Sequence, residues 1–207
     1  MKKINNKNVA ISLFGFLKSK GYYPNDYELD GFIDHDEVFS VELDEGEIYR
    51  LTMPYEFNIE NDSIMRKVIE EMYNVNVFNY FENKSEYMNC LIFSLLHELS
   101  HIHQYLTLSE EELDSLEDTD IESRLEINNN YADKYEREVH YRQLSTETYA
   151  DTFAIKIMSE HKNELENLID EISNGDFEEF CPYGEFFLLG WYALKELIIF
   201  SNKTFKK

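Results

Sequence analysis

The chain has 207 residues, with 42 acidic side chains against 19 basic ones and a formal net charge of −23. That length allows one core burying roughly 70% of the unfolded surface without staples, and a surface so acidic repels nucleic acid and anionic membranes, which argues against direct binding to either. The two cysteines, Cys90 and Cys181, lie far apart in apolar surroundings at no metal or redox spacing, so two buried thiols are expected rather than a disulfide.

Near the start, an apolar run from Val9 to Leu17 follows two lysines. Lys18 and Lys20 close the run and no small-x-small cleavage site follows, so it is expected to be a short buried helix ended by Gly21 rather than a secretory signal. No stretch reaches the roughly 18 apolar residues of a membrane span, and the expected location is the cytoplasm. Tyr22 to Asp36 is polar. Glu37–Leu43 and Glu47–Met53, separated by Asp44-Glu45-Gly46, predict a β-hairpin with a short glycine-containing loop. Ser63–Tyr73 carries Ile64, Val68, Ile69 and Met72 at the spacing of an amphipathic helix, and Val75–Phe81, dense in Val, Phe and Tyr, predicts a third strand.

Ser85 to about Leu108 predicts one long central helix, with Ile92, Leu95, Leu96, Leu99, Ile102 and Leu106 forming an apolar stripe. Ser109–Glu122 then places eight acidic residues in fourteen, with Ser109 and Glu112 set for a capping box, and is expected to be a solvated surface excursion, with a functional lid as the alternative. Further helices are expected over about Asn130–His161 and about Tyr183–Ser201, the latter with Phe187, Trp191 and Leu194 packing inward. With no repeat and no Pro-, Gly- or Ser-rich linker, 1–207 is expected to form a single α+β domain, mainly helical with a small N-terminal β-sheet beside the central helix. Its parts are an N-terminal helix and sheet (1–83), two central helical segments with the acidic insertion 109–122 (84–162), and a C-terminal helical packing segment (163–207).

Inside the central helix stands His97-Glu98-Leu99-Ser100-His101. Residues four apart share a helix face, so both imidazoles can reach one ion. Neutral imidazoles suit Zn²⁺, which takes three protein ligands and keeps one position open when the site is catalytic. Glu98, one residue past the first histidine, can act as general base toward water without binding the metal. The apolar flanks make an unpartnered pair of histidines and a glutamate costly there, and a metal is the economical partner.

The best third ligand lies in Ser145-Thr146-Glu147-Thr148-Tyr149-Ala150-Asp151-Thr152-Phe153-Ala154. Glu147 and Asp151 are four apart, so Glu147 can ligate while Asp151 accepts a hydrogen bond from a ligand imidazole. Ala150 and Ala154 are small residues at helical spacing, which permits a close approach to the histidine-bearing helix.

Together, the His97-Glu98-x-x-His101 motif and Glu147-x-x-Ala150-Asp151-x-Phe153-Ala154 resemble the gluzincin metallopeptidases, and among them the small ImmA/IrrE-like proteins common in phages and mobile elements. The resemblance covers about Tyr87 to Ile157. It implies a zincin-like fold, zinc held by His97, His101 and Glu147, and cleavage of a protein partner, often a repressor. Asp151 stands where many of those sequences have asparagine, and the spacing from His101 to Glu147 is longer than usual there.

Other candidates are weaker. His103, two residues past His101, points away from the pair. His140, Tyr149 and Tyr141 are candidates for stabilising a developing oxyanion, though each is read more simply as packing or surface. His161 lies about 21 Å beyond Glu147 along a continuous helix, too far to ligate. The leading expectation is therefore a zinc-dependent endopeptidase acting on an intracellular protein or peptide. Two alternatives are an acidic interaction protein that mimics nucleic acid and a zinc-binding regulator without turnover.

Overall fold

The computed structural model describes residues 6–34, 39–43, 49–54 and 63–174. Helix α1 (Asn6–Ser19) buries Val9, Ala10, Leu13, Phe14 and Leu17, one face of the predicted apolar run. Its end is a Schellman turn: Gly21 takes φ of 80°, its N–H bonds the Lys18 carbonyl at 2.9 Å, and the Tyr22 N–H bonds the Leu17 carbonyl at 3.1 Å. Glycine meets that left-handed conformation without a Cβ clash.

Three short strands follow: β1 (Asp30–Asp34), β2 (Ser40–Leu43) and β3 (Tyr49–Met53). β3 lies between the others, antiparallel to β2 with Val41 opposite Leu51 and parallel to β1 with Asp30 opposite Arg50. The hairpin partners agree with the sequence reading, while the connecting residues 44–48 lie outside the described residues. Leu51 and Met53, two apart, are both fully buried, as the period of a strand requires. The expected third strand is misplaced. It comes from Asp30–Asp34, within the stretch read as merely polar, and not from Val75–Phe81. In the latter segment Asn76 Oδ1 accepts from the Asn79 N–H at 3.0 Å and fixes a 3₁₀ turn (Val77–Asn79), which lets Val77, Phe78 and Phe81 all turn into the core.

Helix α2 (Ser63–Tyr73) precedes that turn, and α3 (Glu86–Thr107) follows it. Ser85 caps α3 by accepting from the Met88 N–H at 3.2 Å. Nearly every residue of α3 from Met88 to Ile102 is buried, since it packs against α1, the 3₁₀ turn, β2, β3 and a later helix, α6 (Ser145–Glu160). The buried Cys90 belongs to this helix; Cys181 lies outside the described residues.

The acidic segment read as a solvated surface excursion is helical. It begins α4 (Glu110–Asn130), where the Glu112 carboxylate accepts from both the N–H and the hydroxyl of Ser109, at 2.9 and 2.7 Å. Most of its acidic side chains are exposed, but Asp120 is buried. The single helix expected over Asn130–His161 is two. Asp133 caps α5 (Lys134–Arg142) by accepting from the Tyr135 and Glu136 N–H groups, and a turn at Gln143–Leu144 starts α6 in a new direction. A final described helix, α7 (Lys162–Asn174), buries Leu165 and Ile169. The helix expected at Tyr183–Ser201 lies outside the described residues.

The protein is thus α+β, mostly helical with a small sheet, and its described elements up to Ser173 form one compact unit. No helix among the described residues is long and apolar enough to cross a membrane. Helices α3 and α6 pack together, and Ala150 and Ala154 of α6 are both fully buried. Enlarging one of them overfills the core, so Ala154→Leu is expected to lower stability by about 1–3 kcal/mol. Urea unfolding of the metal-free chain checks this, with exposed Glu171→Gln expected to leave the midpoint unchanged.

Candidate metal centre

The same two packed helices also carry the polar groups. From α3 come His97 and His101; from α6, Glu147 and Asp151, and all four are buried. The separation of His97 Nε2 from His101 Nε2 is 3.2 Å, and from Glu147 Oε2 also 3.2 Å. The three ligand atoms as a set lie within 4.8 Å of one another. Donors held about 2.0–2.1 Å from one ion at tetrahedral angles stand about 3.3–3.4 Å apart, close to the two separations that His97 makes with His101 and Glu147. The chemistry agrees: two imidazoles and a carboxylate converge in a dry interior, a donor set that could hold a metal ion.

Asp151 fixes the first imidazole. Its Oδ1 accepts from His97 Nδ1 at 2.9 Å, which leaves Nε2 facing the convergence point. That same oxygen accepts from Arg142 Nη1 at 3.0 Å, and Arg142 also lies 3.6 Å from Glu147 Oε2 while its Nε donates to Glu138 at 2.8 Å. From α4, Arg124 Nη2 donates to Glu147 Oε1 at 2.9 Å and Nη1 donates to the Tyr141 hydroxyl at 2.8 Å. Both carboxylates are therefore buried with cationic partners.

Electrostatics follow from this packing. Burial disfavours the imidazolium of His97, but hydrogen bonds with Asp151 and Glu147 outweigh it and raise its pKa to about 9. Burial, then the neighbouring His97 charge, lower that of His101 to about 3, which keeps it neutral and able to ligate at pH 7. Burial also pushes Glu147 upward, yet His97, His101 and Arg142 together hold it well below the usual carboxylate range. Glu98 is the one residue of the 97–101 motif that is only partly buried, and it accepts no hydrogen bond from the described residues. Desolvation, opposed by His97, raises its pKa to about 7.

The remaining candidates sit elsewhere. His103 Nδ1 pairs with the Tyr149 hydroxyl at 2.7 Å, so Tyr149 is engaged in that contact. His140 stacks on Tyr131 with ring centroids 4.0 Å apart. Tyr141 lies beside Glu147, and burial together with that carboxylate holds its phenol well above the ordinary value. His161 pairs with Glu164 at 3.2 Å, on the far end of α6. The arginines were missed in the sequence. Arg142 does fall one helical approach before Glu147, but only the break at Gln143–Leu144 turns it back onto α6. Arg124 gave one signal, as the sole basic residue of an otherwise acidic helix.

Comparison with known proteins gives no match, whether to a protein family, a curated protein or a solved structure.

Two expectations follow. Asp151→Asn weakens the acceptor that orients His97 and is expected to lower metal affinity about 10–100-fold, measured by competition with a chromophoric chelator. The raised pKa of His97 means a proton occupies it through neutral pH and must leave when a metal binds. Apparent affinity is therefore expected to climb with pH, by up to about tenfold per unit, and to level near pH 9; an affinity flat between about pH 6 and pH 8 would contradict this.

Proposed function

We propose that this chain is a zinc-dependent metallopeptidase of the gluzincin type, with His97, His101 and Glu147 as metal ligands and Glu98 as general base, cleaving a protein or peptide. The observation that carries the reading is the convergence of His97 Nε2, His101 Nε2 and Glu147 Oε2 in a buried position, with the partly open Glu98 in the same motif. The resemblance to ImmA/IrrE-like proteins supports it through the His97-Glu98-x-x-His101 pattern and the downstream Glu147 and Asp151.

Zinc bound there would act as a Lewis acid, polarising the scissile carbonyl and easing the ionisation of water. Glu98 takes the proton as water attacks the carbonyl carbon and passes it to the departing amine nitrogen. A carboxyl with a pKa of about 7 suits both directions of that transfer, because a base is most effective when its pKa lies near the working pH. Asp151 and Arg142 hold His97 and Glu147 in place, and the apolar side chains of Phe93, Leu96 and Ile102 around the motif restrict water. The substrate class favoured by the surface is a basic or neutral polypeptide, which a chain of net charge −23 attracts or tolerates. A regulator that binds zinc without turnover is the second reading, favoured by the engagement of Tyr149 with His103 and of His140 with Tyr131.

Purified wild type is expected to carry about one zinc per chain and Glu147→Ala much less, since catalytic zinc sites use three protein ligands. Zinc in neither, even after reconstitution, would sink the metal reading. Glu98→Gln is expected to keep the metal and lower peptide cleavage by about 10²–10⁴-fold. Unchanged function in that variant would favour the regulator.

A further inference from the structure

We propose that Arg124, reaching in from the acidic helix α4, is a positioning residue that confines Glu147 to a single metal-facing oxygen. The inference rests on the metal-centre reading above and concerns how that centre keeps a position open.

The two oxygens of Glu147 have different surroundings. Oε2 faces His97 Nε2 at 3.2 Å, whereas Oε1 accepts from Arg124 Nη2 at 2.9 Å. A carboxylate can bind a cation through one oxygen or both. Turning Glu147 so that both oxygens reach the ion would break the Arg124 bond, and a charge-assisted bond of this kind is roughly twice as strong as a neutral one. A second carboxylate donor would also occupy the position that a hydrolytic site keeps for water. Arg124 thus works against the coordination that would close the site.

The guanidinium is held for this task although its side chain is 41% exposed. Its Nη1 donates to the Tyr141 hydroxyl at 2.8 Å, and its plane lies over the Tyr141 ring at 4.8 Å. The buried Asp120, one turn earlier, accepts from the Thr146 hydroxyl on α6 and stands 3.9 Å from Arg124 Nη2. Two side chains of α4 therefore fasten it to α6 at the ligand Glu147 and at its neighbour Thr146. Arg124 is the only basic residue of that helix. An arginine meant only for solubility on an acidic helix has no need to point inward at a carboxylate that is 2% exposed.

The test uses the full chain loaded with Co²⁺, whose visible absorption is intense in four-coordinate sites and much weaker in five-coordinate ones. The wild type is expected to show the intense band. Arg124→Gln is expected to lose it severalfold while binding metal at the same stoichiometry and more tightly; Arg124→Lys, which keeps one charged donor for Oε1, is expected to restore it. A merely structural Arg124 would instead loosen the metal and leave the band shape alone, and that result overturns the inference. Should Arg124→Gln fail to fold, Tyr141→Phe removes the hydroxyl that fixes the guanidinium and should shift the band in the same direction. An unchanged band there overturns the inference as well. Failure of the wild type to take up Co²⁺ is a separate outcome and overturns the metal-centre reading, together with all that rests on it.

Discussion

Everything at the centre of this molecule depends on one buried contact, the hydrogen bond between His97 Nδ1 on α3 and Asp151 Oδ1 on α6. Asp151 has no exposed surface, and a carboxylate in that position is tolerated only with partners that offset its lost hydration. His97 and Arg142 are two of them and the Tyr73 hydroxyl, 3.5 Å from Oδ2, is a third, so the buried charge is compensated from three elements at once. Ala150 and Ala154, on the same helix as Asp151 and fully buried, are small enough to permit a close approach of the helices. Packing and polar chemistry are thus a single constraint, in which small residues permit the approach and the approach makes the ion pairs.

The rest of the polar arrangement is built outward from that contact. Arg142 stands at the end of α5 and bridges Asp151 to Glu147 because the chain turns at Gln143–Leu144. Arg124 approaches the same carboxylate from α4. A chain with a large surplus of negative charge has therefore placed two of its few arginines beside two buried carboxylates, while most of the carboxylates of α4 face water. The outer charge makes a field that draws in cations and basic polypeptides; the inner charges fix the orientation of individual atoms. These are different uses of electrostatics, one long-ranged and sensitive to salt, the other local and sheltered from it.

A mostly helical α+β architecture does not by itself imply an activity, and the reading of function comes from the site. Its components are a trio of donors within 4.8 Å of one another, an acceptor that orients one imidazole, and a partly buried carboxyl of raised pKa. A purely structural zinc site has no use for the last of these, since Glu98 takes part in none of the contacts that hold the helices. The acidic helix, which suggests an interaction surface when viewed as composition, is also the source of a side chain at the candidate ligand Glu147.

The sequence alone determined those features that depend on residues close along the chain. The pairing of His97 with His101 and of Glu147 with Asp151 follows from helical periodicity, as do the end of α1 at Gly21 and the Ser109–Glu112 capping contact. The central helix and the β2–β3 hairpin were legible for the same reason. Tertiary structure decided the rest. Val75–Phe81 has strand-like composition, but inward packing of Val77, Phe78 and Phe81 together with the Asn76 cap selects a turn. The break between α5 and α6 was hidden because Gln143 and Leu144 are compatible with a helix, and it takes the packing of Arg142 against Glu147 and Asp151 to favour the bend. The contacts of Arg124 with Glu147 and of Arg142 with Glu147 and Asp151 could not be assigned from spacing, since neither arginine shares a helix with those two carboxylates. Local periodicity says which side chains share a face, and only the meeting of separate helices says which faces share a site.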